Sequence, residues 1–162
     1  MNSTDLLRET LLEEMGRGIK SMEGLLRKVE DKDWNYKPNE KMRSLKELAN
    51  HIIAIPEVDL EIWKEKSHEE IQRLELAYER LENVDQMIEA MNKGFQLYKT
   101  YMLSLSEVDF LSKKTKPFYL EEGQVQAHWL IEDVSHIFHH RGQFFNYLKQ
   151  LDYDVSMNDL YV

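Results

Sequence analysis

Apolar residues recur at spacings of three and four along most of this 162-residue chain, a period that helices satisfy and strands do not. Between about residues 4 and 29, Leu7, Leu11, Met15, Ile19, Met22, Leu26 and Val29 make one stripe. Six glycines and three prolines leave few breaks, and the abundant Leu, Glu, Lys and Met are good helix formers. Residues 31–43, DKDWNYKPNEKMR, interrupt the period with Asn, Pro and charge and read as a loop. Ser44-Leu45-Lys46-Glu47 then has the form of a capping box. It starts a second helix that runs to about Lys66, with Leu48, Ile55, Val58 and Ile62 on one face and a kink or local break expected at Pro56.

Residues 67–82 are charged and periodic, either a short helix or a long connection. A third long helix is predicted over 83–104 with the stripe Met87, Met91, Phe95, Tyr98 and Met102, and a fourth over about 125–151. Between them, Pro117, Phe118, Tyr119 and the Glu-Glu-Gly at 121–123 predict an extended or hairpin-like excursion, and residues 152–162 an irregular tail. Four long helices with long crossovers predict an all-α four-helix bundle in one domain, residues 1–162.

Composition narrows the function classes. There is no cysteine, which removes disulfides, thiolate metal sites and a cysteine nucleophile. The net charge of -9 disfavours a nucleic-acid partner, since counterion release from phosphates needs a basic face. No apolar run approaches the length needed to cross a bilayer, and the start MNSTDLLRETLLEE lacks the pattern of a signal peptide. A cytoplasmic location without a membrane partner is the expectation.

Three histidines stand where histidines are costly. At 100° per residue, His51 falls within about 60° of Leu48, Ile55, Val58 and Ile62, inside the apolar stripe of its helix. His136 and His140 stack one turn apart, with Trp129, Gln143 and Tyr147 within about 20° of His136, on a face that borders the main apolar arc. His139 points off this face, and His68 and His128 have polar surroundings. An i, i+4 imidazole pair can share one ion, and a third imidazole from a facing helix completes a tridentate set with positions open for water or substrate. The structural alternative, ordinary hydrogen-bonded core histidines, fits the spacing equally well. Asp133, about 60° from His136, is the candidate for a carboxylate that orients a ligand ring or acts as a base, or else an ordinary surface aspartate. Trp129 and Tyr147 are either a pocket wall or plain core. Di-iron, P-loop, dinucleotide and Gly-x-Ser-x-Gly patterns are absent.

The segment His136-Ile-Phe-His139-His140-Arg141-Gly142-Gln143 resembles the His-x-x-x-His-Arg-Gly-Gln signature of the DinB/YfiT-like metalloenzyme superfamily. Ser44-Leu-Lys-Glu-Leu-Ala-Asn-His51-Ile-Ile is similar to that family's second-helix motif. The resemblance covers nearly the whole chain. It departs after the last helix, where the family's Gly-x-x-Pro turn is replaced by Leu151-Asp152-Tyr153-Asp154-Val155. The resemblance implies an up-down-down-up bundle, a divalent metal (nickel or zinc) on His51, His136 and His140, and frequent homodimers. It further implies a small-molecule substrate and a metal-dependent transferase acting with a low-molecular-weight thiol. A metal-dependent hydrolase, or a non-catalytic metal-binding or structural bundle, are the alternatives. Metal affinity is expected to fall as the pH drops through roughly 6, because ligand imidazoles must be neutral.

Overall fold

A computed structural model describes residues 2–162 of the chain. Helix α1 spans Ser3–Lys28, α2 Leu45–Trp63, α3 His68–Glu79, α4 Val84–Ser104, α5 Glu107–Ser112 and α6 Gln126–Gln150. Two short strands, β1 (Lys114–Thr115) and β2 (Gln124–Val125), pair antiparallel, with Lys114 opposite Val125. The helices α1, α2, α4 and α6 form the bundle, with the ring order α1, α4, α2, α6.

Directions follow from which residues meet. Arg8 reaches Met102 and Arg27 reaches Asp85, so α1 and α4 are antiparallel. Trp63 bonds Asp133 and His51 meets His140, so α2 and α6 are antiparallel. Gly18 lies against Ile137, Ser21 meets Arg141 and Lys28 reaches Asp154, so α1 runs with α6. Lys46 at the start of α2 reaches Leu81 just before α4, while Glu57 further on lies against Gly94, so α2 runs with α4. The topology is up-down-down-up.

The starts of α2 and α3 have a chemical cause. Ser44 Oγ accepts from the Glu47 N–H while Glu47 accepts from the Ser44 N–H, so the expected capping box closes. Ser67 and Glu70 form a second box and start α3, which resolves 67–82 in favour of a helix. α2 continues through Pro56 without a break and stops at Trp63, three residues early. Glu65 there takes the left-handed backbone, φ 63°, and its carboxylate accepts the Lys116 N–H at 2.9 Å, tying the excursion to the end of α2. That excursion is the short helix α5 and the β1–β2 ribbon. Thr115 Oγ1 fastens it by accepting from Gln126 and Trp129.

The core is the inner faces of the four long helices, among them Met15, Leu25, Leu48, Ile52, Met91, Tyr98, Ile137 and Phe144, all buried. The stripe of α1 differs from expectation in its first turns. Leu7 is exposed and Arg8 is buried in its place. The reason is the C-terminus of α4, whose last carbonyls lack partners within their own helix. The Arg8 guanidinium donates to the Met102 and Leu105 carbonyls. The tail is not featureless: a 3-10 turn, Met157–Asp159, follows buried Val155, and Arg141 of α6 donates to the Leu160 carbonyl.

Candidate functional site

The α2–α6 contact brings together three rings that stand 85 and 89 residues apart in sequence. His51 Nε2 lies 3.2 Å from His136 Nε2 and 3.0 Å from His140 Nε2. The acceptors around the rings settle their tautomers. His136 Nδ1 faces Asp59 Oδ2 at 2.8 Å, and His140 Nδ1 faces Gln143 Oε1 at 2.7 Å. Both Nδ1 atoms therefore carry hydrogen, and both Nε2 atoms present lone pairs to the centre.

His51 can supply at most one N–H to that centre, so at least one lone pair in the triangle has no hydrogen to meet. A cation resolves this, and imidazole is a favoured donor for divalent ions. Three nitrogens bound at about 2.0–2.1 Å in tetrahedral directions stand about 3.3–3.4 Å apart, close to the spacing found. His51, His136 and His140 thus could hold one divalent ion. Burial, the largest cause, moves all three rings toward the neutral state. It takes His51 to about 3 and His140 to about 4, with Arg43 and the neighbouring rings adding to the effect. His136 is lowered too, by burial, against the pull of Asp133 and Glu132.

His139 is exposed and lies outside the cluster, with Gln143 as its neighbour. His128 pairs with Glu132 at the surface, and His68 stacks on Phe118. The carboxylate against the His136 ring is Asp59, not Asp133. Asp133 is fully buried one step behind, its Oδ2 accepting from Trp63 Nε1 at 2.6 Å and from the Tyr98 hydroxyl at 2.5 Å. Its Oδ1 has no partner of its own, and carboxylate oxygens of Asp133 and Asp59 lie within 4.8 Å of one another. Burial pushes both carboxyls up, Asp59 to about 7 and Asp133 well above its usual range. A proton held by Asp133 and shared with Asp59 leaves Asp59 to accept from His136.

Two residues in this arrangement were not anticipated from the sequence. Asp59 had a signal, a lone acid between apolar Val58 and Leu60, about 80° around α2 from His51. Gln143 had its place on the His136 face but no evident partner. Arg141 has a structural duty, donating to Ser21 Oγ on α1 and to Leu160 while its guanidinium covers the Phe138 ring. Trp129 and Tyr147 are core: Trp129 stacks on Trp63 at 4.1 Å, and the Tyr147 hydroxyl donates to the Arg43 carbonyl.

The cluster opens on a cavity of about 930 Å³ along the outer side of α2. His51, His136 and Asp59 reach it, with Ala54, Ile55 and Val58 as its apolar floor. Tyr78 and Tyr119 supply aromatic wall, and the loop before α2 closes one end with Lys37, Lys41 and Arg43. Its size suits one or two small molecules.

Solved structures share this architecture. A DinB-family protein from Exiguobacterium sibiricum 255-15 superposes with a TM-score of 0.81 at 23% identity, covering 98% of this chain and 99% of that one. A DinB-like protein of Bacillus cereus ATCC 10987 gives 0.71 at 17% identity, covering 91% and 95%. One from Bacillus subtilis gives 0.66 at 17% identity, covering 90% and 94%. No curated protein matches the chain. The model of the DinB family matches residues 1–161. With that match spanning both histidine-bearing helices and the whole bundle, the chain belongs to the DinB family.

Proposed function

We propose that this protein is a metal-dependent transferase that joins a small thiol to an electrophilic partner. The observation that carries the reading is the meeting of three Nε2 atoms, from two helices, at the edge of an accessible cavity. In this reading His51, His136 and His140 hold one divalent ion, nickel or zinc, and His139 does not. Bound there, such an ion acts as a Lewis acid and makes a thiol or a water a competent nucleophile near neutral pH. Three protein donors favour a catalytic over a structural role, because structural zinc sites are normally closed by four.

The chain's own residues keep the site in order. Asp59 and Gln143 fix two of the rings by their Nδ1 hydrogens, and Asp133 holds Asp59 in turn. Ala54, Ile55 and Val58 give the substrate an apolar bed. Because the chain has no cysteine, the sulfur comes from a co-substrate. A carbon–sulfur bond forms as the leaving group departs with its bonding pair, and the thiol proton passes to solvent. The same reading takes residues 1–162 as one domain, working in the cytoplasm as a homodimer. No helix among the described residues is long and apolar enough to cross a membrane.

The test is turnover of a panel of thiols and electrophiles by metal-loaded protein against His51→Ala. Rates above background with the parent and at background with the variant support the transferase. Hydrolysis of ester or amide substrates without thiol consumption replaces it with a hydrolase. Background rates throughout replace it with a binding role.

A further inference from the structure

The cavity lining includes a run of basic residues that its size and apolar floor do not require. The protein as a whole is acidic, with a net charge of -9, yet Lys37, Lys41, Arg43 and Lys46 fall within ten residues that contain one acid, Glu40. All four line the cavity. Lys46 is occupied, donating to the Leu81 carbonyl at 2.9 Å and lying over the Trp34 ring. Lys37, Lys41 and Arg43 are exposed, and among the described residues their side chains have no ion-pair partner.

The acids that line the same cavity are Glu47, Asp59, Glu75 and Glu79. Glu47 accepts from the Ser44 N–H in the capping box and lies within reach of the charges of Lys37 and Arg43. Asp59 accepts from His136, and Glu75 and Glu79 stand on α3 without a bond to the three cations. The positive end of the α2 dipole points the same way as the cluster. Five residues of helix separate Lys46 from His51, which is about 7–8 Å along the axis. Arg43 is near enough for its charge to act on all three rings.

We propose that Lys37, Lys41 and Arg43 form an anion subsite. It holds a carboxylate or phosphate group of the small molecule whose reacting end lies against the histidine cluster, a step that rests on the cavity being the substrate site. Cations without ion-pair partners, gathered at the mouth of a cavity, attract such a group more strongly than the same charges scattered over an open surface.

The experiment uses the full-length protein in metal-loaded and chelator-stripped forms. Each is titrated with succinate, inorganic phosphate and the uncharged isostere succinamide, by calorimetry at low ionic strength. Succinate or phosphate is expected to bind both forms, the tighter of the two identifying the group, and succinamide to bind at least tenfold more weakly. In Lys41→Glu/Arg43→Glu the anion affinity is expected to fall at least tenfold, with circular dichroism unchanged, whereas Lys99→Glu on α4 leaves it near the parent value. Equal binding of succinate and succinamide, an unaltered affinity in the double variant, or no binding of either dianion overturns the subsite. A protein that binds the anions but retains no nickel or zinc keeps the subsite and loses the metal reading.

Discussion

His51 and His140 are costly residues to bury, and their neutrality decides how the site responds to acid. Each folded pKa, about 3 and about 4, lies below the 6.5 of an unhindered ring. As the pH falls below 6.5 the unfolded chain takes up protons first. The stability that depends on neutral rings is therefore complete above about 6.5 and is lost between there and 3–4. Melting temperatures of metal-free protein should fall steadily between pH 7 and 4. Metal affinity should survive lower than the pH 6 expected from ordinary histidines, because all three rings are pushed toward the neutral state, as metal content after dialysis across a pH series would record. At neutral pH, His51→Ala or His140→Ala should abolish retention of the ion, while His139→Ala should keep it. Asp59→Asn removes the charged acceptor behind His136 and should weaken metal binding by about 10–100-fold, measured by competition with a chelating dye. At this scale the three histidines and the exclusion of His139 were legible from helical angles, because those angles depend only on sequence spacing. Asp59 was not, since its role depends on how α2 is turned against α6, which periodicity does not state.

Helix contacts explain what two glycines in one helix are for. A Cβ on Gly18 would meet Ile137 Cγ2 at 2.8 Å, and Ile137 is stiff and buried in α6. A Cβ on Gly24, about one and two-thirds turns further along α1, would meet nothing within 4 Å. Gly24→Ala should therefore stabilise by about 0.5–1 kcal/mol through helix propensity. Gly18→Ala gains the same propensity but forces α1 and α6 apart, an overpacking cost of about 1–3 kcal/mol, so it should come out neutral to destabilising. Urea unfolding of the two variants side by side separates the effects. The four long helices were legible within about three residues at each end, since long apolar stripes leave little choice of period. α3 was ambiguous because it buries only Ile71 and Tyr78, too few to mark a face among so many charges. Arg8 inverted the expected pattern in α1 because a neighbouring helix end needed donors, a requirement that no stripe in α1 can express.

In the assembled molecule the ion would act as a cross-link between α2 and α6. A ligand that binds only the folded state adds about 2.7 kcal/mol at one hundred times its dissociation constant. For a protein of this size that corresponds to about 5–11 °C in melting temperature. Thermal melts with and without nickel or zinc, on the parent and on His140→Ala, should show that gain in the parent only. Stripe positions identify what each helix buries but not which helix it buries it against. The up-down-down-up directions were accessible only by resemblance to a known family, the ring order α1, α4, α2, α6 not from the sequence at all, and the contacts between helices now account for both.

The span of 85 residues between His51 and His136 also has a consequence in time. At synthesis rates of about 5–20 residues per second, the second imidazole leaves the ribosome roughly 4–17 seconds after the first. Until then the nascent chain offers a lone histidine on α2, a poor ligand with no partners. An ion held by the three histidines could not guide the early helices together. It would be captured only after the last helix docks, and a chain truncated before α6 would keep His51 without its two partner rings.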